Sequence, residues 1–100
     1  MYIVMTRVKL KPDSHRLCAE IFKRTNPELV KGEPDWLGAR MIFDPDTDEI
    51  TVLAHWRSVE SYKRLSASPA FQKTMHEFGP LFAAPPIISV NSLLVDMTPT

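Results

Sequence analysis

Two runs of alternating apolar residues, Trp36-Leu-Gly-Ala-Arg-Met-Ile-Phe43 and Ile50-Thr-Val-Leu-Ala-His-Trp56, are joined by Asp44-Pro-Asp-Thr-Asp-Glu49. This pairing restricts the chain more than any other feature. A repeat of two suits strands with one covered face, and a short connection rich in Pro and Asp holds such strands as an antiparallel hairpin. On the second strand Val52, Ala54 and Trp56 share one face, and Leu53 and His55 the other. The acidic turn lacks the central glycine and distal glutamate that a calcium loop needs, so it reads as a solvated turn.

The flanking segments carry a different period. Tyr2 to Leu10 reads as a strand with Tyr2, Val4, Thr6, Val8 and Leu10 on one face. Pro12 stops it, and Asp13 or Ser14 can accept hydrogen bonds from the first free amides of a helix. Leu17, Cys18, Ile21, Phe22, Thr25 and Leu29 form the apolar stripe of that helix, which ends by Gly32 and Pro34. Beyond the hairpin, Ser58 caps a short helix bearing Tyr62 and Leu65, and Ser68-Pro69 opens a second with Phe71, Met75, Phe78 and Phe82 on its buried side. Gly79-Pro80 should distort it or end it early. Pro85-Pro86 then precede a last strand, Ile87 to Val95.

The order strand, helix, strand, strand, helix, strand defines an α+β fold, the ferredoxin-like split βαβ with an antiparallel four-stranded sheet and its helices on one face. We expect one domain over 1–97 and a tail at 98–100. The other sheet face is left bare. A chain of 100 residues with 44% hydrophobic content holds one modest core, and two copies joined through their bare faces enlarge it, so a homodimer is expected. Twelve basic and twelve acidic residues cancel, which leaves no field to hold a nucleic-acid backbone or an anionic membrane surface. One cysteine, Cys18, permits no internal disulfide and reads as a small core residue; with no long apolar run or leader, a cytoplasmic setting is expected. Three histidines without paired spacing give no metal site.

The runs Pro34-Asp-Trp-Leu-Gly-Ala-Arg40, Leu53-Ala-His-Trp-Arg-Ser58, Glu60-Ser-Tyr62 and Ser66-Ala-Ser-Pro-Ala-Phe71 resemble the antibiotic biosynthesis monooxygenase domain of the dimeric α/β-barrel superfamily. That family includes oxygenases that act without a cofactor on quinols or anthrone-like polycyclic aromatics, and a branch that binds and degrades heme. The resemblance implies a pocket between sheet and helices that takes a small aromatic or apolar ligand. Its wall would be Val4, Thr6, Val52, Ala54, Trp56, Tyr62, Leu65, Phe71 and Met75. Trp56 would pack against the ring, Tyr62 would donate or relay a proton, and Thr6 would orient an oxygen. No cofactor is implied, because a deprotonated electron-rich aromatic reduces dioxygen itself.

Departures from the family pattern leave two further readings open. The heme-degrading branch carries a first-strand Asn and a second-helix His that ligates iron, whereas this chain has Thr6 and Met75 there. His76 is one residue further on, about 100° around the helix, and should face solvent. Where quinol-oxygenase relatives often carry a His before the Ser-Pro element, Leu65 stands here. Heme binding and degradation is thus a third reading, and the second is a dimeric module that binds a small apolar ligand or a protein partner without turnover. His55 and Arg7 should face the partner sheet, as should Arg40 together with Trp36 and Ile42; Asp44 or Asp96 would pair with the arginines there. His15 should be exposed.

Overall fold

Strand β1 (Tyr2–Lys9) pairs antiparallel on both sides, with β3 (Glu49–Trp56) and with β4 (Ile87–Ser92), and β2 (Trp36–Asp44) completes the order β2-β3-β1-β4. That order and the helices α1 (His15–Leu29), α2 (Val59–Ser66) and α3 (Pro69–Phe78) make the expected ferredoxin-like α+β fold. The computed structural model describes residues 1–99; Thr100, the end of the expected tail, lies outside the described residues. No helix among the described residues is long and apolar enough to cross a membrane.

Helices and turns follow the expected local chemistry with instructive exceptions. The Ser58 hydroxyl accepts from the Ser61 N–H at 3.3 Å and the Ser68 hydroxyl from the Phe71 N–H at 3.2 Å, so both short helices are capped as expected. Ser14 begins α1 without such a bond; its hydroxyl donates to the Pro12 carbonyl at 3.5 Å, and Asp13 turns the chain at φ 62°. Pro27 lies inside α1 near its end, where its missing N–H costs one hydrogen bond of a helix already about to stop at Leu29. Leu17 is exposed, since it sits about 100° from Cys18 around the helix and falls off the edge of the stripe.

The core lies between the sheet and the helices, where Val8, Leu10, Cys18, Ile21, Ile50 and Phe78 cluster. Strand β4 ends at Ser92, three residues short of the expected Val95. Its ladder partner runs out: Ser92 faces Tyr2, and only the Leu93 N–H to Met1 carbonyl bond (3.1 Å) follows. His15 is half-buried rather than exposed, its ring stacked on Phe43 at 4.3 Å between centroids.

One irregularity decides which residues meet. Trp36 pairs with Trp56 but Gly38 pairs with His55, so Leu37 is an extra residue on β2, a β-bulge. Uninterrupted alternation would put Trp36 on the face of Arg40 and Ile42, the placement expected from the sequence. The bulge instead turns Trp36 to the helix side, beside Trp56. Gly38 carries it at φ 131°, a conformation that side-chain-bearing residues rarely adopt, although a Cβ there would touch nothing within 4 Å. Gly38→Ala should therefore cost about 1–2 kcal/mol through backbone strain alone. Gly79, at an ordinary helical φ of −47° and equally open, should accept alanine with no loss or a small gain. Urea unfolding of the two variants checks this; equal midpoints would contradict the strained-bulge account.

Candidate functional site

The ladder stacks Val4 beside Ala54 and Thr6 beside Val52, so the helix-facing side of β1 and β3 presents small and branched side chains in register. Over them, Tyr62 and Leu65 descend from α2, and Phe71 and Met75 from α3. Together they enclose a partly open cavity of about 130 Å³. All nine wall residues expected from the sequence line it, and so do Trp36, Phe22, Asn26 and Thr74. No lining residue is an acid, a lysine, an arginine or a histidine.

Trp56 is almost wholly buried, 2% exposed, and its ring meets that of Tyr62 edge-on, 6.0 Å between centroids at 64°. Edge-to-face contact suits the aromatic quadrupoles, and both residues line the cavity. Burial pushes the Tyr62 phenol above its ordinary range, with the nearby Ser66 hydroxyl opposing in part. At neutral pH Tyr62 is therefore a protonated donor and not a base. Burial likewise raises the Cys18 thiol, which is 1% exposed and held as an inert core residue.

A polar latch fixes this wall. The Ser61 hydroxyl, buried under α2, donates to the Asp35 carboxylate at 2.6 Å, and the Asp35 carbonyl accepts from the Arg57 N–H at 2.7 Å. Arg64 reaches Glu33 at 3.8 Å across the same seam. Residues on either side of Trp36, Trp56 and Tyr62 are thus tied together just outside the cavity. A bond to a charged acceptor of this kind contributes about 1.5–3 kcal/mol. The latch was not anticipated from the sequence, although the spacing of Asp35, Arg57 and Ser61 around the hairpin ends is consistent with it.

His76 is exposed and Met75 points into the cavity, as the helical offset implied. On the other sheet face, Arg40, His55, Asp96 and Thr98 border a separate recess. Neither expected carboxylate bridges to an arginine within the described chain: Asp44 accepts the Asp46 N–H at 2.9 Å, an Asx turn, and Asp96 accepts from Thr98. The Thr98 bonds hold the Asp96 carboxyl below its usual range. Among the described residues no group of three or more His, Cys, Asp or Glu side chains is arranged to hold a metal ion.

A model of the antibiotic biosynthesis monooxygenase family matches residues 1–77, and the chain belongs to that family. No curated protein matches it. Solved structures share the fold at low identity. A Mycobacterium tuberculosis protein superposes with a TM-score of 0.77 at 16% identity, covering 97% of this chain and 98% of its own. A Bordetella bronchiseptica protein named for the same family gives 0.83 at 16% identity, covering 94% and 97%. SnoaB, a cofactor-independent oxygenase from Streptomyces nogalater, gives 0.78 at 14% identity, covering 96% and 95%.

The raised Tyr62 ionisation has a sign that stability can read. The unfolded phenol loses its proton near about pH 10 and the folded one later, so above that pH the folded state binds more protons and stability falls as pH rises. Urea midpoints compared at neutral pH and above pH 10 should fall more for the native chain than for Tyr62→Phe. An identical fall would contradict the buried, protonated phenol.

Proposed function

We propose that the chain is a cofactor-independent monooxygenase of an aromatic quinol or anthrone-like substrate, with 1–97 as the folded unit. The observation that carries this is the Trp56–Tyr62 edge contact on the wall of a cavity without charged groups. The ring stacks on Trp56, Tyr62 donates a proton to the reduced oxygen species, and Thr6 orients an oxygen. Val4, Val52, Ala54, Leu65, Phe71 and Met75 shape the rest of the site.

The chemistry balances without a further reductant. For a quinol, the substrate anion passes electrons to dioxygen, one oxygen atom is added to the ring and the other leaves as water: quinol + O2 gives hydroxyquinone + H2O. Exclusion of water strengthens the interaction of the developing anion with the Tyr62 O–H. No side chain in the cavity wall is a ready base, so the substrate must arrive ionised or lose its proton to water. Oxygen uptake with a panel of hydroquinones and anthrones should exceed the uncatalysed rate, rise with pH along each substrate's own ionisation, and drop about 10²-fold in Tyr62→Phe. No rate above background, or an unchanged rate in Tyr62→Phe, would overturn the reading.

The lack of a base also supports the second reading, a module that binds a small apolar ligand or a protein partner without turnover. Native mass spectrometry showing a retained ligand, together with no oxygen uptake, favours it. The heme reading has less support, because no histidine lines the cavity.

We further infer a homodimer formed through the sheet face that bears His55 and the exposed Ile42. Light scattering should give twice the 11.4 kDa chain mass, and Ile42→Glu should shift it toward one copy. A native mass of one chain would contradict the pairing.

A further inference from the structure

Asn26 carries the one amide side chain in an uncharged wall whose other polar groups include the Thr6, Thr25, Thr74 and Tyr62 hydroxyls and the Cys18 thiol, and neither the family pattern nor the proposed proton chemistry uses it. Helix α1 runs back along β1, as the split βαβ connection requires. Eight residues of helix, about 12 Å, carry the chain from Cys18 to Asn26. Four residues of strand, about 13 Å, separate Val8 from Val4. Cys18 packs with Val8 in the core, so Asn26 lies level with Val4 and hence near the Trp56 end of the cavity.

The latch between Asp35 and Arg57, just after α1 and just after β3, agrees with that placement. The Asn26 main-chain carbonyl is committed to the Val30 N–H at 3.1 Å. No side-chain nitrogen or oxygen sealed from solvent lacks a partner among the described residues, yet none of the chain's hydrogen bonds engages the Asn26 amide. That amide is therefore not sealed from solvent, and Asn26 is among the residues that line the cavity. Helix α1 packs on α3 but hardly touches α2, which leaves this end accessible.

Size narrows the ligand. A dry apolar cavity of about 150 Å³ holds a benzene, and the present one is about 130 Å³. One ring fills it, whereas three fused rings would project out of it. We propose that Asn26 anchors the hydroxyl of a one-ring phenol or quinol through its side-chain amide, with the ring against Trp56. This rests on the oxygenase reading for its purpose and narrows the choice between quinols and anthrones to one-ring quinols, but binding alone tests it.

Calorimetric titration with 4-ethylphenol and with ethylbenzene compares two ligands that differ by the hydroxyl. The native chain should bind 4-ethylphenol about tenfold more tightly, which is the value of one good hydrogen bond in a dry site. Asn26→Leu should bring the ratio near one while leaving ethylbenzene affinity within about twofold. Asn26→Ala, with the best helix former, provides the same reading if leucine disturbs the fold, and circular dichroism checks both. A tenfold preference that survives either folded variant overturns the anchor, as does failure of both ligands to bind the native chain; tighter binding of anthrone than of 4-ethylphenol overturns the one-ring assignment. Asn26-dependent preference without oxygen uptake supports the anchor and sinks only the oxygenase reading, whereas uptake with a preference indifferent to Asn26 does the reverse.

Discussion

The bulge at Leu37 is the constraint on which the site depends. By inserting one residue into β2 it reverses the face of everything before it, so Trp36 lies opposite Trp56 on the helix side of the sheet. The same reversal brings Asp35 to the end of β3, where its carbonyl takes the Arg57 N–H and its carboxylate takes the buried Ser61 hydroxyl. Ser61 precedes Tyr62 on α2. A single backbone irregularity thus sets the second tryptophan, the seat of α2 and the approach of Tyr62 to Trp56.

Around that frame the chain encloses a cavity whose walls carry hydroxyls, thiol, indoles and one amide, but no charge. Such a site is poor at acid–base work on an unreactive substrate. It suits a ligand that brings its own electrons and its own acidic proton. The raised ionisation of Tyr62 agrees with a donor that stays protonated, and the low dielectric that causes it would strengthen its bond to an anion.

Much of this was legible in the residues. Apolar alternation found the hairpin strands and β-branched composition found the first and last, Ser58 and Ser68-Pro69 marked the helix starts, and the face shared by Val4 and Thr6 and that shared by Val52, Ala54 and Trp56 followed from strand geometry. What escaped were features set by distant parts of the chain. Trp36 changed face because of a bulge that alternation cannot reveal, although Gly38 in an apolar strand was its one local signal. Strand β4 stopped at Ser92 because β1 begins at Tyr2, a fact of register and not of composition. His15 found Phe43 across the core, and Asn26 came to the cavity because α1 runs back along β1. His15 was expected to be exposed, and no sequence signal singled out Asn26.

In the proposed reaction, substrate and dioxygen react in the Trp56–Tyr62 cavity with no other electron source. Turnover of a one-ring quinol under 18O2, with the products weighed by mass spectrometry, tests it most directly. The expected result is one labelled oxygen in the hydroxyquinone and the other in water, at a rate that metal chelation leaves unchanged and that Trp56→Phe lowers. An unlabelled product, or labelling no faster than in buffer alone, would contradict it.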